Sequence, residues 1–527
     1  KLEYKHLYNI NSPEDLRQLS IDELPRYCDE VRQYIIEQCA VNPGHLASSL
    51  GAVEIAVAVH YVYYTPSDKL IWDVAYAHKI ITGRRDAFTT NRRLGGISGF
   101  PRMAESEYDA FGAGHSSVSI SAALGMAEAA KLQGRDVKSV AIIGDGSIAG
   151  GLAFEGLNNA GALNSDILVI LNDNQISIDK NVGALHNYLV KISVSPVYNR
   201  IKNRMWRVVG NGRLRKLIQK FMLSTKLAFM KSGSVFQGLG FRYFGTIDGN
   251  DIGELITTLS NLKGIKGPKL LHVRTLKGKG YEPAERQQSI WHAPGKFDVA
   301  TGERLLSGKK EYKYQDVFGE TLLELAEKNP KIVGITPAMP TGCSMNIMMN
   351  AMPERCFDVG IAEPHAVTFS AGLAAKGMTP FCNIYSSFMQ RAYDQIIHDI
   401  ALQKLNVVLC QDRGGLVGSD GATHHGVFDL AMLQHIPNLT IAAPMDESEL
   451  RNMMYTAQLP NMGPFSIRYP RGYGFMGKEW RTPFKELEIG KGRLMSEGSK
   501  IAILTIGTTG HDVEKIISNS IYNIFLN

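Results

Sequence analysis

Two apolar runs, each closed by a polar tripeptide, constrain this chain more than anything else in it. Val140-Ala141-Ile142-Ile143 leads into Gly144-Asp145-Gly146, and Ile167-Leu168-Val169-Ile170-Leu171 leads into Asn172-Asp173-Asn174. Short, unbroken apolar runs read as strands buried on both faces, as in a parallel sheet. Residues 148–162 between them are small and apolar enough for a helix packed on that sheet. Such a βαβ unit delivers Asp145 and Asn174 to one carboxyl edge, where open α/β sheets bind ligands. One carboxylate and one amide oxygen cannot enclose a magnesium ion alone. They suit an ion that draws its other ligands from a diphosphate, water and a backbone carbonyl, for which Ile176 is the candidate. Gly146 and its neighbour Gly144 let the main chain approach phosphates, and a helix start at Ser147 offers N–H groups to them. A polar strand-end turn would explain Gly-Asp-Gly by itself. The second strand with its asparagines favours the metal–diphosphate site.

The length, 527 residues, exceeds what one core serves and implies two or three α/β domains. A net charge of +6 is close to balance and gives no global case for binding nucleic acid. No run of 18 apolar residues exists, so no membrane span is expected. Six scattered cysteines, none in a Cys-x-x-Cys pair, fit reduced thiols and a cytoplasmic protein. The start carries no signal peptide, but it opens on Lys1 and not methionine, so an upstream segment is the expectation.

Three blocks follow from the pattern. Residues 1–305 hold the diphosphate motif, and a polar stretch over 301–314 reads as a linker. Residues 306–488 form a second α/β block, with a helix over 317–328 and strands near 332–335, 358–362, 407–410 and 439–443. Residues 489–527 offer one strand, 501–504, and one helix, 512–517, too little to bury a core. Residues 181–247 hold no Asp or Glu but many bases, among them Arg200, Lys202, Arg204, Arg207, Arg213, Arg215 and Lys216. Taken alone this resembles a polyanion patch. Apolar residues interleaved at helical spacing favour an amphipathic helical excursion with a solvated basic face.

The motif spacing resembles the thiamin diphosphate signature, and further motifs narrow it to the 1-deoxy-D-xylulose-5-phosphate synthase family. They include Pro43-Gly44-His45-Leu46-Ala47-Ser48-Ser49-Leu50-Gly51, Gly114-His115-Ser116-Ser117 and Lys279-Gly280-Tyr281-Glu282-Pro283-Ala284-Glu285. Further on come Asp358-Val359-Gly360-Ile361-Ala362-Glu363, Tyr385-Ser386-Ser387-Phe388-Met389-Gln390-Arg391 and Asp412-Arg413-Gly414-Gly415-Leu416-Val417-Gly418. Many motifs in one order are far more specific than any one of them. The resemblance implies a thiamin diphosphate-binding fold with two doubly wound parallel-sheet domains, plus the start of a truncated third α/β domain. It implies thiamin diphosphate and Mg2+ as cofactors, pyruvate and D-glyceraldehyde 3-phosphate as substrates, and a homodimer. The expected reaction releases carbon dioxide and feeds isoprenoid, thiamin and pyridoxal precursors.

The same resemblance assigns roles. Asp145, Asn174 and Ile176 hold the metal; Gly146, Ser147, Gly114, His115, Ser116 and Tyr281 meet the cofactor. Glu363 is the carboxylic acid beside the aminopyrimidine, and Phe388 stacks on that ring. A helix-capping glutamate and a core phenylalanine are the plainer readings. Cations suit a carboxylate and a phosphate, so Arg413 and Arg471, both just past apolar strands, resemble phosphate ligands, joined by Tyr385 and Arg391. Surface salt bridges are the plainer reading for both arginines. His424 and Asp420, in a glycine-rich loop, suit proton handling. His45 resembles the first domain's catalytic histidine, and His292 another active-site histidine.

Two departures stand out. The family's Asp-Val-Gly-His-Gln-Ala-Tyr is shortened here to Asp73-Val74-Ala75-Tyr76, without a histidine that contacts the cofactor in relatives; His78 matches a later one. Pro364 stands where the family usually has another residue. Two alternatives therefore accompany the synthase reading: transketolase-type ketol transfer, and a non-catalytic cofactor-binding remnant.

Overall fold

The computed structural model describes residues 3–72, 76–174, 182–193, 235–305, 312–499 and 501–519. The chain divides into two compact units, Lys1–Leu306 and Ser307–Asn527. Each is built on one all-parallel sheet among its described residues.

In the first unit the strands are β1 (Lys69–Trp72), β2 (Ser139–Gly144), β3 (Ile167–Asp173), β4 (Arg242–Asp248) and β5 (Lys269–Arg274). Their order is β1-β2-β3-β5-β4. Both faces are covered, and the side chains alternate between two cores. Val140, Ile142, Leu168 and Ile170 enter one cluster, whereas Ala141, Ile143, Val169 and Leu171 enter the other. A strand with two dry faces has no polar positions to spare, which is why these strands read as unbroken apolar runs. β2 and β3 pair in parallel with Gly144 opposite Asn172, so the two motifs leave the sheet side by side.

The second unit holds β6 (Ile332–Thr336), β7 (Cys356–Asp358), β8 (Thr379–Tyr385), β9 (Val408–Asp412), β10 (Thr440–Ala442) and β11 (Phe465–Arg468). Their order is β10-β11-β9-β8-β6-β7. Val408 and Cys410 face one core and Val407 and Leu409 the other. The helix expected over 317–328 begins earlier, at Tyr314, and ends at Lys328.

Several expectations are corrected. The strand expected over 358–362 stops at Asp358. There the Asp358 carboxylate accepts the Ala338 and Gly360 N–H groups, at 2.8 and 3.0 Å, and Gly360 adopts φ +73°. A side chain that offers the backbone its own acceptor, followed by a left-handed glycine, turns the chain out of the sheet. Residues 501–504 form no strand, for among the described residues no neighbouring strand completes a ladder with them, and Ile501, Ile503 and Leu504 are exposed. The helix after them runs Thr509–Asn519. β8 was not anticipated as a strand. Of the basic stretch, Ala184–Ser193 is helical and Arg242–Asp248 is strand β4. Residues 194–234, the shortened 73–75 segment and Ile176 lie outside the described residues.

Candidate functional site

In the first unit, Asp145 follows β2 directly and is buried. Its backbone N–H donates to the Asn172 carbonyl (3.2 Å), and its Oδ1 accepts the Gly146 N–H (3.0 Å). Asn174 follows β3 by one residue. The helix start expected at Ser147 is corrected. Ser147–Ala149 is a single 3-10 turn, and the α-helix runs Gly151–Leu163. Gly150 separates them and Gly151 opens the helix, and glycine propagates a helix poorly. No side chain caps that helix.

The Gly114-His115-Ser116 loop is tied to this turn through a residue the motif reading passed over. Ser117, left-handed at φ +71°, donates its hydroxyl to the Ser147 carbonyl at 2.6 Å. Fit to a diphosphate is tested by the space beside the glycines: a Cβ on Gly144 or Gly151 would meet no atom within 4 Å. Open space beside main chain at a strand end, with one carboxylate and one amide nearby, fits a metal-bound diphosphate. Among the described residues no group of three or more His, Cys, Asp or Glu could hold a metal by itself.

His45 and His292 are brought together, with ring centroids 5.4 Å apart. Tyr76 places the first of them, because its hydroxyl accepts the His45 N–H at 3.1 Å. Gly44 permits that approach, since a Cβ there would stand 2.3 Å from the Tyr76 oxygen. Sequence reasoning named His45 without its support; the Gly-His step was the available signal. Tyr281, expected at the cofactor, is 8 % exposed. It packs against Trp291 and Phe297, and its hydroxyl donates to the carbonyls of Asp298 and Val299.

In the second unit, Glu363 opens the helix Glu363–Ala375, with Pro364 in the first turn where a missing N–H costs nothing. It is 4 % exposed. Burial pushes its carboxyl above the ordinary range, opposed by Arg391, whose Nη1 lies 3.6 Å from Oε2. Arg391, expected on the substrate phosphate, also faces this glutamate.

Tyr385, at the end of β8, stacks on Phe388 (5.5 Å), and Phe388 meets His424 edge to face (5.3 Å). The Arg413 guanidinium lies 3.8 Å over the Tyr385 ring. Gly426 lets the following loop close on this turn, as a Cβ there would stand 2.5 Å from both the Arg413 carbonyl and Ser386 Oγ. Arg471 Nη1 donates to the Val417 carbonyl (3.0 Å) and to Asp420 Oδ2 (3.1 Å). Asp420, expected to handle protons, is therefore an ion-pair partner of an expected phosphate ligand. One residue here escaped the sequence reading. Asp412 is buried at the end of β9, and its only signal was its place beside Arg413.

Comparison with known proteins agrees with this geometry. Residues 7–275 match the family model of the 1-deoxy-D-xylulose-5-phosphate synthase N-terminal region, and residues 310–474 match the transketolase pyrimidine-binding domain. The 1-deoxy-D-xylulose-5-phosphate synthase of Phocaeicola vulgatus is 57 % identical over 98 % of this chain and 83 % of its own. That of Bacteroides thetaiotaomicron is 56 % identical over 98 % and 82 %, and that of Chlorobaculum tepidum 51 % identical over 96 % and 81 %. Likeness of that depth over nearly the whole chain, on two parallel-sheet units that carry the motifs at their strand ends, makes this chain a member of the 1-deoxy-D-xylulose-5-phosphate synthase family, a thiamin diphosphate-dependent transferase.

Proposed function

We propose that this chain condenses pyruvate with D-glyceraldehyde 3-phosphate, with loss of carbon dioxide, to give 1-deoxy-D-xylulose 5-phosphate, through the residues assigned here. When bound, thiamin diphosphate supplies the carbon nucleophile for both substrates. The observation that carries the residue assignment is Glu363, a buried carboxyl with a raised pKa at a helix start, placed where the family has its aminopyrimidine partner. Burial raises this carboxyl's hold on a proton that it would share with a ring nitrogen, and Arg391 limits how far it is raised.

Asp145 and Asn174 would hold Mg2+ with the diphosphate, and Ser147 and the Gly114–Ser116 loop would contact that diphosphate. His45, His292 and His424 would move protons at the substrate oxygens. Arg413 and Arg471, beside Tyr385, would hold the aldehyde phosphate. A homodimer and a cytoplasmic location accompany the family reading; six buried, unbridged thiols support the latter. No helix among the described residues is long and apolar enough to cross a membrane.

Carboxyl-labelled pyruvate with the aldehyde phosphate tests the reaction. The expected result is labelled carbon dioxide in step with 1-deoxy-D-xylulose 5-phosphate. Ketol exchange between sugar phosphates without carbon dioxide would establish the transketolase alternative, and neither product the non-catalytic one.

A further inference from the structure

Beside the arginine read as a phosphate ligand lies a carboxyl group with no role so far. Asp412 ends β9 in register with Tyr385 of β8, and it is 1 % exposed. Its Oδ2 is buried without a hydrogen-bond partner, and so are Arg413 Nε and Ser386 Oγ next to it. Arg413 follows in a left-handed conformation, φ +64°, and its guanidinium covers the Tyr385 ring. A carboxyl left short of donors in a dry place beside two cations is poised between its charged and neutral forms.

The groups that act on it come from every neighbouring element. They are Cys410 on its own strand, Arg413 after it, Tyr385 on β8, and Tyr469 and Arg471 beyond β11. Cys343 lies on the turn after β6, and Asp316 on the helix Tyr314–Lys328. Burial pushes the Tyr385 and Tyr469 phenols and the Cys410 thiol far up, and the Cys343 thiol to about 12, so these four stay neutral near pH 7. Burial likewise pushes Asp412 up to about 7, with Arg413 and Arg471 pulling the other way.

We propose that Asp412 is a proton-gated positioning residue for the phosphate of the second substrate. Protonated, it leaves Arg413 and Arg471 their full attraction for a phosphate dianion. Ionised, it draws on both guanidinium groups and repels that dianion. The inference rests on reading these arginines as the phosphate ligands. By linkage, the bound dianion favours protonated Asp412, so binding above pH 7 takes up a proton.

The test compares KM for D-glyceraldehyde 3-phosphate with KM for unphosphorylated D-glyceraldehyde, at saturating pyruvate, from pH 6.5 to 8.5. In the wild type, KM for the phosphorylated acceptor should rise roughly threefold to tenfold across that range, the size of up to one pKa unit of coupling. KM for the unphosphorylated acceptor should stay flat. Asp412→Asn, neutral at every pH, should hold the phosphorylated acceptor's KM level across the range. A flat wild-type profile overturns the proposal, as does an Asp412→Asn profile as steep as the wild type. Arg413→Ala separates the two readings. It should abolish the preference for the phosphorylated acceptor, and an unchanged preference there would bring down the phosphate reading itself.

Discussion

Asp109 in the first unit and Asp412 in the second are both buried carboxyls, and they are driven in opposite directions. Burial works against ionisation at Asp109, yet His78 and a two-pronged Arg84 hold it well below the usual carboxylate range. The Arg102 N–H adds a fourth contact at 2.7 Å. Asp412 lies deeper, with two nearby arginines and the Arg413 backbone N–H, but its Oδ2 finds no donor, and burial wins. Depth alone does not set the charge of a buried acid; the supply of hydrogen bonds to it counts as well. The same contrast runs through the residues proposed for catalysis in each unit. The first unit offers turns, glycines and amides fixed by partners, which suits an anchor of constant charge. The second offers Glu363 and Asp412, both raised, which suits groups whose protons matter.

The sharpest way to break this contrast is at Glu363. Glu363→Gln should keep the fold and cofactor binding but lower kcat by about a hundredfold to ten-thousandfold, the usual worth of a positioned acid–base group. Near-normal turnover would place this glutamate with the structural residues. Thermal unfolding against pH probes the two aspartates directly. Asp109→Asn leaves the buried Arg84 guanidinium without its countercharge and His78 with a weaker acceptor, and should cost about 3–5 kcal/mol near neutral pH. Because the Asp109 pKa is depressed, its contribution is present above about pH 4 and fades as pH falls through its folded value. Asp412 runs the other way. Its cost grows as pH rises from about 4 and is complete above about 7, so Asp412→Asn should match the wild type in acid and exceed it at pH 8 by on the order of a few kcal/mol. Parallel unfolding curves for wild type and Asp412→Asn at all pH values would refute the contrast.

Two smaller effects sharpen it. Asp145→Asn replaces a hard anionic ligand and should weaken magnesium-dependent cofactor binding by about a hundredfold, measured as cofactor affinity at fixed metal. The loss should recover partly with excess Mg2+, whereas loss of the fold would not. Arg413→Ala or Arg471→Ala should raise KM for the aldehyde phosphate by roughly tenfold to a hundredfold, the worth of a charge-assisted contact of about 1.5–3 kcal/mol. Carbon dioxide release from pyruvate should survive. Equal weakening of both substrates would make these arginines structural.

The sequence by itself determined where β2, β3 and β9 run, because their middles are dry on both faces and are written as unbroken apolar residues. It also determined the positions just beyond them, Asp145, Asn174 and Arg413, since a strand's end is where polar residues and glycine first become affordable. Strands that are short or interrupted were less legible: β7 ends at an aspartate that caps its own turn, and residues 501–504 have the composition of a strand but no partner strand among the described residues. Only the tertiary structure decided what each polar side chain would face. Arg391 turned to Glu363, Arg471 to Asp420, Ser117 to the Ser147 carbonyl and Tyr281 into an aromatic core. Hydrogen bonds and ion pairs join residues far apart in the chain, and no local pattern records which donor will reach which acceptor. Asp412 is the clearest case, since its protonation depends on a partner that the fold withholds.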